Sequence, residues 1–192
     1  MKDILNNKTV VYGILIFFLV ELANIAGAFF DGNLLSGNPT PVLLLTYLAV
    51  SVFEETVFRI VPAGIFGKRI SSKKGEICLI TATSLAFGLF HLVNLLSGAS
   101  LSYTVLQMIF AASIGSFFCL LYLRSGSAIL IVVMHIAHDV ITGFNTPELT
   151  GGVIYSLPLT LCDIVIVLVQ SAVFLVFVLA SQGVLDRQCL SA

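Results

Sequence analysis

Six long apolar runs follow one another along the chain, each separated from the next by a short cluster of polar and turn-forming residues. The runs cover residues 10–30, 41–66, 76–97, 101–123, 126–145 and 153–180. A helix needs about 20 residues to cross a hydrocarbon core about 30 Å thick, so each run predicts a membrane-spanning helix. The breaks are Asp31-Gly-Asn through Asn38-Pro-Thr, Ser71-Ser-Lys-Lys-Gly, Ser97-Gly-Ala-Ser, Ser125-Gly-Ser and Thr146-Pro-Glu-Leu-Thr-Gly-Gly. These residues favour turns and helix caps. The pattern predicts an all-α polytopic membrane protein of about six transmembrane helices, with residues 1–192 forming a single integral membrane domain. No internal repeat, low-complexity tract or soluble domain interrupts it.

Composition agrees, since 58% of the residues are hydrophobic and only 10% are charged, far from the balance of a soluble domain. A net charge of −1, with no long run of one sign, gives no electrostatic basis for a nucleic-acid partner. The basic residues are informative by position. Lys2 and Lys8 precede the first span, Lys68, Arg69, Lys73 and Lys74 lie between the second and third, Arg124 between the fourth and fifth, and Arg187 after the sixth. With six spans, every Lys and Arg except Arg59 falls on one side. The positive-inside bias then predicts both termini in the cytosol and a multi-pass protein of the cell membrane.

Lys8, the first apolar run and Ala26-Gly-Ala28 resemble a secretory signal with its cleavage site. The length of that run and Glu21 within it favour a retained helix. Cys78, Cys119, Cys162 and Cys189 are scattered without a CxxC pair, and read as small apolar residues or incidental thiols rather than a disulfide or zinc framework. Cys189-Leu-Ser-Ala fits a prenylation box only loosely, because Ser191 stands where an aliphatic residue is usual, and reads as coincidence.

Ionisable side chains inside such spans are costly and tend to face one another or a wet cavity. The second span carries Glu54-Glu55-Thr-Val-Phe-Arg59. Glu55 and Arg59, four residues apart, stack on one face and neutralise each other, while Glu54 is turned about 100° away and stays free for chemistry. Taken alone, the motif fits an interhelical ion pair with a spare acid equally well. The third span carries Phe87-Gly-Leu-Phe-His91 with Asn94 one turn on, and the fifth carries His135-Ile-Ala-His138-Asp139. Asp139, one turn beyond His135, is placed to orient its ring or share a proton. Spacing alone does not rank His135 above His138.

Measured from the basic ends of their helices, Glu54 is about 18 Å deep, His91 about 22 Å, His135 about 15 Å and Asp139 about 21 Å. A common pocket near mid-membrane is therefore allowed. Carboxylates outnumber cations in the spans, with Glu21, Glu54, Glu55, Asp139 and Asp163 against Arg59, so protons, histidinium or a bound cation are expected to balance them. Glu21 with Asn24 reads as an interhelical hydrogen-bonding pair, Asp163 as near-surface, and Ala111-Ala-Ser-Ile-Gly-Ser116 as a packing stripe of small residues.

In order, Glu54-Glu55-x-x-x-Arg59, Phe87-x-x-x-His91 and His135-x-x-x-Asp139 resemble the signature of the CAAX protease and bacteriocin-processing (CPBP, or Abi) family of intramembrane proteases. The resemblance covers about residues 40–145. His138 lies outside the pattern, and Asp139 occupies a position that is Asn or Asp in the family. The resemblance implies hydrolysis of a peptide bond of a membrane-associated substrate: a prenylated protein, a leader peptide or a bacteriocin-like peptide. It implies Glu54 as general base, Glu55 and Arg59 shaping and charge-balancing the site, His91 positioning the water, and His135 with Asp139 stabilising the oxyanion or supplying ligands. Glu54, His91 and His135 also make up a common catalytic zinc set. A divalent metal and a metal-free glutamate mechanism both remain open, since HExxH is absent.

Two other classes use the same residues. A proton- or ion-linked transporter would employ them as a relay, with Pro62 and Pro158 as helix breaks. A non-catalytic bacteriocin-immunity protein would protect by binding.

Overall fold

The computed structural model describes residues 7–30, 32, 34–37, 40–145, 149–150, 153–154 and 160–181. Lys2, Asp31, Pro158, Arg187 and Cys189 lie outside the described residues. Six helical spans are long and apolar enough to cross a membrane: Lys8–Phe30, Pro41–Arg69, Lys73–Ser97, Leu101–Ser125, Ala128–Asn145 and Leu161–Ser181. The chain is an all-helical, multi-pass membrane protein. The only strand pairing among the described residues is a two-residue antiparallel ladder, β1 (Leu149–Thr150) on β2 (Val153–Ile154).

The elements are α1 (Lys8–Phe30), α2 (Pro41–Glu55), a π turn (Thr56–Ile60), α3 (Val61–Phe66), α4 (Lys73–Phe90), a 3₁₀ segment (His91–Ser97), α5 (Leu101–Ser125), α6 (Ala128–Asn145) and α7 (Leu161–Ser181). The expected sixth span began at 153, whereas α7 begins at Leu161. Its start is set by a capping box. The Thr160 backbone N–H donates to Asp163 Oδ2 at 2.8 Å, and the Asp163 N–H donates back to Thr160 Oγ1 at 3.2 Å. Reciprocal capping satisfies donors that a helix start leaves without an intrahelical partner. Asp163 is accordingly an exposed cap.

Pro62 does not break the second span. Proline cannot donate to the carbonyl four residues back, and its ring crowds that carbonyl. The chain relieves both by widening the preceding turn: the Val61 N–H reaches Thr56 O, five residues back. Such π turns are rare and concentrate at functional sites. This one lies within the Glu-Glu-x-x-x-Arg motif.

α5 is the central helix, with 67% of its most apolar stretch buried against 22–33% for the other spans. Phe117, Phe118, Leu120 and Leu121 on α5 pack with Phe17 of α1, Ile131 of α6 and Phe174 of α7 in one core. Small residues allow this closeness, as expected for residues 111–116. A Cβ on Gly88 of α4 would come within 2.8 Å of Met108 O and 3.0 Å of Ala112 Cβ, so α4 and α5 touch backbone to backbone there.

Hydrogen bonds define the two ends of the bundle. At one end Arg124 pairs with Glu76 near the start of α4 and donates to Ser181 O at the end of α7, while Asn7 Nδ2 donates to Arg124 O. At the other, Gly37 N–H donates to Phe144 O at 2.9 Å and Asn94 Nδ2 to Gln107 Oε1 at 2.8 Å. Lys8, Lys68, Arg69, Lys73, Lys74 and Arg124 are all at or beside the first end.

Candidate active site

The site assembles where α2 faces α6. Tyr47, Ser51, Glu54 and Glu55 form the buried stripe of α2, recurring at helical spacing. On α6, His135, Asp139 and Gly143 recur every four residues and meet that stripe. Gly143 has no room for a Cβ because the Tyr47 ring lies against it.

Glu55 and Arg59 are wholly buried, and Arg59 Nη1 donates to Glu55 Oε1 at 3.1 Å. The expected pairing is present, carried by the π turn. The guanidinium also lies over the Phe87 ring, with Cζ 3.9 Å from its centroid, a cation–π contact strengthened by the absence of water. Gly115 on α5 provides the space, since a Cβ there would meet Arg59 Nη2.

Glu55 Oε1 also accepts from His135 Nδ1 at 2.7 Å. Asp139, one turn away on the same helix, is placed by spacing to orient the His135 ring or share a ligand's proton, but the carboxylate that holds Nδ1 is Glu55 across the interface. Asp139 Oδ1 stands 3.8 Å from Nε2, beyond a hydrogen bond. Asp139 Oδ2 instead lies 2.9 Å from Ser51 Oγ, which also bonds Tyr47 O at 2.7 Å. Sequence reasoning missed Ser51. Its signal was present: a hydroxyl one turn before Glu55 in an otherwise apolar stretch.

Glu54 is 7% exposed and turned away from Arg59, as its rotation from Glu55 requires. Its Oε2 lies 3.5 Å from His135 Nε2. Because Nδ1 is engaged by Glu55, Nε2 is the nitrogen that His135 presents to Glu54. His91 opens the 3₁₀ segment, and its Nδ1 donates to Phe87 O at 2.9 Å, leaving Nε2 as the free nitrogen. Phe87 touches both imidazoles edge-on, with centroids 4.8 Å from His91 and 6.1 Å from His135. The two imidazoles therefore lie against one aromatic ring.

Among the described residues, no group of three or more His, Cys, Asp or Glu side chains is spaced to hold a metal ion. Glu54 and His135 face each other, and the bond from His91 Nδ1 to Phe87 O leaves Nε2 of that ring free. Cys78, Cys119 and Cys162 are free thiols.

His138, outside the expected pattern, points elsewhere. Its Nδ1 donates to Glu21 Oε1 of α1 at 2.8 Å. Asn24 joins Glu21 within α1 at 3.1 Å, so the expected interhelical pair is an intrahelical one whose interhelical partners are His138 and Gln170.

A helical membrane bundle that buries carboxylates, imidazoles and a guanidinium at mid-span is a multi-pass membrane protein with an enclosed acid–base site. The family of type II CAAX prenyl endopeptidases described as Rce1-like matches residues 36–141, more than half of the sequence, and the chain belongs to that family. The match spans all of the site residues from Tyr47 to Asp139 and leaves out α1 and α7. At the level of the family, the chain is a CAAX-type intramembrane endopeptidase. No curated protein and no solved structure matches it.

Proposed function

We propose that this protein hydrolyses a peptide bond of a membrane-associated substrate by a glutamate-activated water, without a resident metal. The observation that carries this reading is the approach of Glu54 Oε2 to His135 Nε2 at 3.5 Å within a buried cluster. An amide needs an activated nucleophile and a stabilised tetrahedral intermediate, and a positioned carboxylate provides the first. Glu54 takes a proton as the water oxygen bonds to the carbonyl carbon. His91, with Nε2 free, accepts the water's second hydrogen and aims it.

His135, carrying a proton on each nitrogen, donates from Nε2 to the developing oxyanion. Glu55 and Arg59 hold the other side of its ring. Ser51 holds Asp139 beside it. Glu54 then returns its proton to the leaving nitrogen as the C–N bond breaks, so the carboxylate is regenerated and no proton is consumed. The positive-inside bias supports a cell-membrane protein with the basic end of the bundle facing the cytosol, and the substrate class is a prenylated or otherwise membrane-anchored peptide.

The test compares membrane peptides by mass spectrometry in cells carrying the intact protein or Glu54→Ala. Cleavage products confined to the intact protein support the reading. Identical peptides in both would overturn it.

A further inference from the structure

Glu21, His138, Asn24 and Gln170 form a second polar cluster centred on buried Glu21, and the hydrolytic scheme makes no use of it. Glu21 is 2% exposed in the middle of an apolar helix, a placement that costs several kcal/mol unless the group is paired. Both of its oxygens are engaged. Oε1 accepts from His138 Nδ1 on α6 at 2.8 Å, and Oε2 accepts from Asn24 Nδ2 at 3.1 Å. Asn24 Oδ1 in turn accepts from Gln170 Nε2 on α7. The chain of bonds therefore runs from α7 through α1 to α6. Phe110 of α5 stacks on the His138 ring, with centroids 5.1 Å apart and planes at 28°.

His138 follows His135 by three residues, which sets the two imidazoles about 60° apart around α6 and about 4.5 Å apart along it. Each is gripped by a carboxylate of a different helix: His135 by Glu55 of α2 and His138 by Glu21 of α1. In lipid, apolar faces slide past one another at little cost because hydrocarbon solvates them all alike. A single polar attachment leaves a helix free to swivel about it. Two attachments at different azimuths fix rotation and height together.

We infer that Glu21, acting through His138, is a positioning residue for catalysis: it sets the rotation of α6 and thereby holds His135 in register with Glu54. α1 and α7, which lie outside the matched family region, then belong to the working enzyme. The inference rests on the hydrolase reading for its consequence in rate, but not for its geometry.

The test uses the full chain in detergent or nanodiscs and two readouts. The first is peptidase kinetics. Glu21→Ala is expected to lower kcat by about a hundredfold, the scale of an ångström-level misplacement of a catalytic group, with KM within about twofold. Glu21→Gln is expected to recover most of the rate, because Gln accepts from His138 while the Asn24 and Gln170 amides reverse to match it. The second is ¹⁵N NMR of the three histidines, assigned by single substitution. The His135 Nδ1 resonance is expected to move in Glu21→Ala and to return in Glu21→Gln.

An unmoved His135 resonance in folded Glu21→Ala overturns the inference whatever the kinetics show. A resonance that moves in a protein without peptidase activity sustains the positioning role and sinks the hydrolase reading instead. If Glu21→Ala does not fold, the exchange Glu21→His with His138→Glu rebuilds the pair across the same interface. A folded exchange variant with the His135 resonance still displaced counts against the inference, and one with it restored supports it.

Discussion

Glu55 Oε1 accepts hydrogen bonds from His135 Nδ1 at 2.7 Å and Arg59 Nη1 at 3.1 Å, so one carboxylate oxygen on the second span orients an imidazole on the fifth. The charge that neutralises the arginine is the same charge that presents His135 Nε2 to Glu54.

Glu55→Ala is therefore expected to damage stability and rate together. It leaves Arg59 buried and unpaired, and breaking a buried pair costs about 3–5 kcal/mol. Thermal unfolding in detergent checks the first effect. Hydrolysis of a prenylated peptide by the surviving folded fraction checks the second, with a loss of at least about a hundredfold expected.

Glu54→Gln separates chemistry from folding. His135 keeps Glu55 as its partner when Glu54 is neutralised, so unfolding is expected within about 1 kcal/mol of the parent while kcat falls by about 10²–10⁴. A folded Glu54→Gln protein that still hydrolyses at the parent rate removes Glu54 from the base role.

Asp139→Asn preserves shape and the contact with Ser51, whereas Asp139→Leu leaves Ser51 Oγ facing an apolar group. The first is expected to keep activity within about tenfold. The second is expected to lose about 1–3 kcal/mol in stability and most of the rate. Equal loss in both would mean that the negative charge, not the hydrogen bond, is what the site needs.

Gly115→Ala tests the seat of the arginine. The added methyl would push the guanidinium off Phe87 and away from Glu55, and overpacking of this kind costs about 1–3 kcal/mol. A lower unfolding temperature with reduced activity is expected. Glu54 keeps its own position, so the loss should be smaller than in Glu54→Gln.

Chelation addresses the metal directly. Protein purified through a strong chelator, with metal content verified by elemental analysis, is expected to retain full peptidase activity. Activity lost on chelation and restored by zinc would reverse the metal-free mechanism.

Much of this protein is determined locally, and that part was open to reading in the sequence. Span length depends on consecutive apolar residues, and the Glu55–Arg59 pair depends on a separation of four on one helix. Both are properties of a few adjacent turns, so they do not depend on which helices become neighbours. The tertiary structure alone decided that Glu55, not Asp139, orients His135, that Ser51 holds Asp139, and that Glu21 takes His138. Each of these contacts joins residues 80 or more positions apart, Asp139 being separated from Ser51 by 88 and His138 from Glu21 by 117. They depend on how each helix is rotated about its own axis. That rotation is set by close packing at Gly88 and Gly115 and by buried polar pairs between helices, which no periodicity within a single span records.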